Sequence, residues 1–189
     1  MAAIDAFFSW TEHMFIHLAI LNGRITTGKA FSDSVVAEWK VKFKLALDIA
    51  SDPAMRRHYY ELVELKGRPR NFVSHGAFGK AGEALHFHSS IGAVPVYFDA
   101  GGAKAKYFLT ESLSFDDGQA LTAIGKFIDY LWSGPRQTAG LYIQEGHLPT
   151  ILTLAQNGTY ARALASAEEM EQLLRHLGDE QANATNMDW

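Results

Sequence analysis

Lys66-Gly-Arg-Pro-Arg-Asn-Phe-Val-Ser-His-Gly76 is the stretch on which the reading of this chain turns. Gly67 suits the left-handed residue that closes a helix. Pro69 suits the first turn of a new one, and Gly76 can end that helix at once. The spacing therefore predicts a short helix from Pro69 to His75. Five helical steps separate Arg70 from His75, which sets the two side chains about 140° apart, able to border one groove. Guanidinium presents a planar fork that fits a phosphodiester, and imidazole is the side chain that exchanges protons nearest neutrality. Together they suit phosphoryl transfer from a 2′-hydroxyl: His75 moves the proton, Arg70 steadies charge on the phosphate oxygens, and Asn71 orients either.

Charge is gathered around this stretch. The 189 residues carry a formal net charge of −4. Between residues 56 and 80, however, Arg56, Arg57, Lys66, Arg68, Arg70 and Lys80 stand against Glu61 and Glu64, a net +4. Residues 166–189 hold six acids against Arg175, a net −5. Contact with a polyanion is thus expected to be local, since a protein that coats nucleic acid is basic throughout.

Upstream, Ala2 to Leu21 reads as one long helix. Ile4, Phe7, Thr11, Met14, Leu18 and Leu21 recur at three-four spacing, and Asp5, Ser9, His13 and His17 form a polar stripe beside Glu12. That stripe is expected either to face solvent or to line a cleft in which Glu12 and His13 support the motif. A loop from Asn22 to Lys29 leads to a helix capped by Ser32 or Asp33 and running to Ala50, with Val36, Trp39, Phe43, Ala46 and Ala50 turned to the first helix. Asp52-Pro53 starts a third, Ala54 to Lys66, with Met55, Tyr59, Leu62 and Val63 inward.

Downstream, Glu83 to Ser90, Val94 to Phe98 and Lys104 to Thr110 alternate like strands, which predicts a small antiparallel insertion at about 80–113. His86 and His88 share one face of it, but two His alone fall short of a metal ligand set. A fourth helix starts at Asp116 or Asp117 and runs to Trp132, with Leu121, Ile124, Ile128 and Leu131 at bundle spacing. Gly134-Pro135 ends it. Beyond it, Leu141 to Ile143 reads as a short strand. Ile151 to Leu154, the Gln156-Asn-Gly-Thr turn and Thr159 to Leu164 read as a β-hairpin. Ser166-Ala-Glu-Glu169 is a capping box for a last helix to Leu177, followed by a loose polar tail, 179–189. The expected fold class is α+β, mainly α: a four-helix bundle at 1–133 carrying a β insertion, with a β-hairpin and helix appended at 134–178.

Composition sets the remaining bounds. A hydrophobic fraction of 48% is ample for one core, and zero Cys excludes disulfides and thiolate metal sites. No apolar run approaches the roughly 20 residues of a membrane span, and the first residues lack a basic signal segment. The expectation is a cytoplasmic protein without membrane contact.

Arg70-Asn71-x-x-x-His75 resembles the signature of the HEPN superfamily of helical-bundle ribonucleases and RNA-binding proteins: an Arg, a polar residue and, a few residues on, a His. Gly76 matches a frequent next residue. The resemblance covers the motif and the helices of about 1–133, not the C-terminal third. It implies a metal-independent endoribonuclease, possible in a toxin–antitoxin or defence setting, that needs no cofactor and leaves 2′,3′-cyclic phosphate ends. It further implies Arg70, Asn71 and His75 as catalytic residues, Lys66, Arg68, Glu12 and His13 as substrate contacts, RNA as ligand, and a homodimer that pairs two motifs, with an antitoxin or another protein as a further partner. Two alternatives remain open. One is a non-catalytic HEPN-like module that binds RNA, nucleotide or protein, since one fold hosts both roles. The other is a helical metal-site protein using the i,i+4 pair His13 and His17 with Glu12 or His75.

Overall fold

The computed structural model describes residues 2–74 and 117–187. The elements are α1 (Ala2–Leu21), α2 (Gly28–Val36), α3 (Trp39–Ala46), α4 (Pro53–Ser74) and α5 (Asp117–Leu131), then a 3-10 turn (Gly134–Arg136), α6 (Gln137–Gly140), a π turn (Leu141–Glu145), α7 (Leu152–Gln156), α8 (Thr159–Ala163) and α9 (Ala167–Met187). Among the described residues there is no strand.

α1 is the central element. It buries Ile4, Phe7, Phe8, Thr11, Met14, Phe15, Ile16, Leu18, Ala19, Ile20 and Leu21, far more than one stripe. A helix that is apolar nearly all round has neighbours nearly all round, and α1 packs on α2, α3, α5, α7 and the π turn. The core is continuous from Phe15, Phe43 and Phe127 at its centre to Tyr142, Tyr160 and Met170 in the C-terminal part. Ring centroids of Phe15 and Phe43 lie 5.0 Å apart, edge to face, the favoured arrangement of aromatic quadrupoles. Replacing either fully buried ring by Ala would cost about 3–5 kcal/mol.

The start of α4 follows the local rule. Asp52 Oδ1 accepts from the backbone N–H groups of Ala54 (3.1 Å) and Met55 (2.9 Å), and Pro53 occupies the first helical position, where no N–H is needed. α9 begins in the same way: Glu169 N–H donates to Ser166 Oγ at 3.2 Å, one half of the expected capping box.

Elsewhere the structure corrects the expectations. The fold class is all-α across the described residues, not α+β. The expected hairpin is a pair of short helices, α7 and α8, and the expected strand Leu141–Ile143 lies in the π turn. The cause is visible at Asn157-Gly158. Asn-Gly with positive φ makes a hairpin turn, but the same pair also ends helices. Gly158 (φ +78°) stands at the start of α8, with Asn157 Oδ1 accepting from Thr159 N–H at 3.0 Å. Tertiary contacts decide between the two. Ile151 N–H donates to Tyr160 Oη (2.9 Å), the two tyrosine oxygens are 2.9 Å apart, and Tyr142 Oη donates to Pro149 O (2.8 Å). With those ends fixed, Tyr160 is the donor to Tyr142, and all the buried groups are satisfied only if Tyr142 and Tyr160 both sit on helices facing the 149–151 segment.

Three further corrections concern helix boundaries and one an exposed side chain. The expected single helix from Ser32 or Asp33 to Ala50 is two: α2, capped one turn earlier by Thr27 Oγ1 (3.2 Å from Ala30 N), and α3. Ala37 and Glu38 between them are extended. These two residues reset the helical phase, so Trp39, Phe43 and Ala46 face inward while Val36 is 84% exposed and Ala50 is exposed too. In α5, Leu121 points outward at 53% exposure, although Ile124 and Leu131 are buried as expected. α4 does not stop at Gly67; it runs through Gly67 and Pro69 to Ser74, so the separate helix Pro69–His75 does not form. α9 likewise continues through Gly178 to Met187 rather than releasing a loose tail. Glycine permits a left-handed stop but does not impose one. The β insertion at about 80–113, with His86 and His88, lies outside the described residues, as do His75 and Gly76.

Candidate functional site

The C-terminal half of α4 carries the motif. Lys66, Arg70 and Ser74 succeed one another at one-turn intervals on its backbone, Arg68 and Asn71 stand between them, and His75 is the next residue after the helix. Lys66 is the last of these whose side chain the structure describes, and it shows what surrounds this end of the helix.

The Lys66 ammonium lies 3.0 Å from Glu12 Oε1 on α1. The other oxygen of Glu12 accepts from Lys42 Nζ on α3 at 3.1 Å. Three helices thus meet on one carboxylate, and the cluster carries a net positive charge. Lys42 is only 7% exposed, whereas Glu12 and Lys66 are 37% and 36% exposed. Burial on its own would raise the Glu12 pKa, but hydrogen bonds and charge from Lys66 and Lys42 outweigh it and hold the carboxyl below its ordinary value. Glu12 is therefore ionised at neutral pH and has no proton to offer; it positions cations.

Lys66 also rests over two aromatic faces, 5.2 Å from the Phe8 centroid and 5.4 Å from that of Trp39. Cation–π attraction of this kind contributes about 0.5–1 kcal/mol where the cation is partly solvated. The indole is itself fixed: Trp39 Nε1–H donates to Thr11 Oγ1 (2.9 Å), and Thr11 Oγ1–H donates to Phe8 O (2.9 Å). Thr11, expected as an apolar-face residue, is fully buried because both capacities of its hydroxyl are filled.

Next to Glu12 on α1, His13 and His17, one turn apart, approach each other, Nε2 to Nε2, at 2.9 Å. His17 Nδ1 lies 2.6 Å from Thr150 Oγ1. Burial first, and the neighbouring His13 second, push the His17 pKa below its ordinary value. The structure therefore divides the expected polar stripe: Glu12 turns to α3 and α4, and the histidines turn to the C-terminal part. Among the described residues no three His, Asp or Glu gather as a metal ligand set; of the two expected third ligands, Glu12 is held by Lys42 and Lys66, and His75 lies outside the described residues.

The partners of Glu12 escaped the sequence reading, because Lys42 and Lys66 lie 30 and 54 residues away. Lys42 left a signal: it sits between Trp39 and Phe43, Ala46 on the apolar face of α3. A lysine there is either a stem laid along the core or half of a buried pair. Thr150 left none.

No protein-family model matches the chain, and no curated protein or solved structure matches it. Among the described residues no helix is long and apolar enough to cross a membrane.

Proposed function

We propose that this helical-bundle chain is a metal-independent endoribonuclease of HEPN type, with its centre at the C-terminal end of α4. The reading rests on the motif Arg70-Asn71-x-x-x-His75, and the observation that carries it is the Glu12–Lys66 contact. That contact fixes the helix bearing Arg70 against the polar side of α1, one turn before Arg70, with more cationic than anionic groups gathered there. In this account His75 is the general acid–base group, Arg70 binds phosphate and stabilises the charge that develops on it, and Asn71 orients them. Lys66 and Arg68 extend the phosphate contact, and Glu12, held between Lys42 and Lys66, lines its edge; His13, expected beside them, meets His17 instead. The substrate's 2′-hydroxyl attacks the adjacent phosphorus, His75 takes its proton, and the 5′-oxygen leaves with a proton returned to it. The products carry 2′,3′-cyclic phosphate and 5′-hydroxyl ends. Two copies related by a two-fold axis beside the motif would double every group without new sequence.

The test is cleavage of several single-stranded and structured RNAs with chelator present. Wild-type protein cuts, and His75→Ala is slower by about 10²- to 10⁴-fold, the usual contribution of a general acid–base group, while RNA affinity is retained. Arg70→Ala loses both. If no RNA is cut faster by wild type than by His75→Ala, the nuclease reading is wrong. If in that case RNA still binds and Arg70→Ala weakens it, a non-catalytic RNA-binding module replaces it.

A further inference from the structure

The seam between α3 and α4 leads away from the motif and carries groups that the chemistry proposed at the end of α4 leaves idle. The two helices run antiparallel: Trp39 meets Lys66, and Lys44 meets Tyr59. The rings of Trp39 and Tyr59 are parallel to within 9°, with centroids 6.5 Å apart, and an ammonium group stands at each end of this pair. Lys66 Nζ lies 5.4 Å from the Trp39 centroid, and Lys44 Nζ lies 5.2 Å from that of Tyr59. Cation–π attraction holds both ammonium groups over the seam, and Lys44 is exposed there. Glu12, the carboxylate that meets Lys66, is outweighed by Lys42 and Lys66 together, so the seam is complementary to a polyanion.

Tyr60 supplies the second observation. Its neighbour Tyr59 is buried, whereas Tyr60 is 62% exposed, and the two rings meet edge to face at 5.3 Å. A tyrosine face is thus open to solvent one ring away from the Lys44 ammonium. Arg56 precedes Tyr60 by one turn on the exposed face of α4, and Glu64 follows it by one turn on the side away from Tyr59. Cations that follow a backbone, with an aromatic face on which a base can stack, are the means by which proteins hold single-stranded nucleic acid. A duplex keeps its bases stacked on one another and offers none to such a ring.

We infer that the α3–α4 seam is a track for single-stranded RNA, in which a strand held by phosphate at Arg70 continues past Lys66 to Lys44 and stacks a base on Tyr60. Tyr59 and Arg70 are eleven residues apart on α4, about 16 Å along its axis, a distance that takes more than one nucleotide to cross. The inference rests on the reading of α4 as an RNA-binding helix and adds the class of substrate, single strand over duplex, with the residues that select it.

The experiment measures binding by fluorescence anisotropy with the full chain and 2′-O-methyl RNA, which lacks the attacking hydroxyl and is therefore not cut. The probe is a single strand of about 12 nucleotides, inside the usual span of such tracks, with a duplex of the same length as control. Tyr60→Ala should bind the single strand about 5- to 100-fold more weakly, the usual worth of one base stacked on an aromatic ring, and the duplex as wild type does. Tyr60→Phe should keep wild-type affinity, because the ring and not the hydroxyl stacks. Lys44→Met should shallow the slope of log affinity against log salt by about 0.7. Equal affinity of wild type and Tyr60→Ala for the single strand overturns the inference. So does a loss in Tyr60→Phe as large as in Tyr60→Ala, or a wild type that binds no single strand. If wild type cuts no unmodified RNA while Tyr60→Ala still weakens binding, the nuclease reading fails and the track stands. If wild type cuts and Tyr60→Ala binds unchanged, the track fails and the nuclease reading stands.

Discussion

The two ends of α4 each gather charge around a carboxylate, and they do so to opposite purposes. At the N-terminal end Asp52 accepts from two backbone N–H groups of α4, from Tyr130 Oη at 2.8 Å, and from Arg136 at 3.3 Å. Arg136 in turn donates to the carbonyls of Tyr130 and Leu131 and lies over the Tyr130 ring at 4.8 Å. These bonds close on themselves and tie the start of α4 to the end of α5. At the C-terminal half Glu12 is held, among the described residues, by two ammonium groups, and one of them is more than a third exposed. A carboxylate that caps a helix is occupied by the fold. A carboxylate that only holds lysines leaves a positive cluster whose outer member can exchange its partner for phosphate.

Removing each carboxylate separates the two cases. Glu12→Ala should destabilise most, by about 3 kcal/mol in a denaturant titration, because it strands the buried Lys42 ammonium. Lys42→Met removes the same ion pair from the other side and should cost under about 1 kcal/mol, or stabilise, since it leaves no buried charge. Equal losses in the two variants would show that Lys42 is solvated and would dissolve the distinction. Asp52→Ala should cost about 2 kcal/mol, combining a lost cap with lost hydrogen bonds to a charged group, read as a fall of roughly 4–8 °C in melting temperature. Lys66→Met should change stability by less than about 1 kcal/mol, as expected of a half-exposed pair.

Acid titration is the gentler probe. Glu12 and Asp52 are both held below their ordinary pKa values, against burial that alone would raise them: Glu12 by its lysines, Asp52 chiefly by the Met55 N–H, Tyr130 and Arg136. A group depressed on folding contributes stability that is complete above its unfolded pKa and is lost as pH falls through the folded one. That window opens below the ordinary values, 4.5 for Glu12 and 3.8 for Asp52. Glu12→Gln should therefore flatten the pH dependence of stability on the upper side of the acid range, and Asp52→Asn only below it. His17 acts in its own window. Burial and His13 depress it, so stability is complete above 6.5 and declines as pH falls from there, a slope that His17→Asn should remove.

The starts of α4 and α9 were legible in the sequence because the forces that make them are local, whereas α2 starts one turn before the expected Ser32 or Asp33. Asp52-Pro53 and Ser166 through Glu169 supply their own caps within three residues, and the spacing of Ile4, Phe7, Met14 and Leu18 names a buried face without knowledge of what covers it. Helix ends were less so. Gly67, Gly178 and Asn157-Gly158 each admit two conformations of similar local cost, and at Asn157-Gly158 contacts from elsewhere in the chain, those of Tyr142 and Tyr160, go with two helices in place of the apparent hairpin. The same holds for the site. Its motif residues are a local pattern, but the carboxylate that Lys66 meets, the indole beneath it and the hydroxyl behind His17 come from other helices, and no spacing rule reaches them.

The most direct measurement is the salt dependence of RNA affinity for wild type, Lys66→Met and Arg136→Gln, each first shown by circular dichroism to be folded. If the C-terminal end of α4 is where phosphate binds, Lys66→Met loses one phosphate contact. The slope of log affinity against log salt on single-stranded RNA should then shallow by about 0.7. Arg136→Gln, at the end occupied by the fold, should leave that slope where wild type has it. A Lys66→Met slope equal to wild type, or a slope that falls for Arg136→Gln instead, would contradict the account.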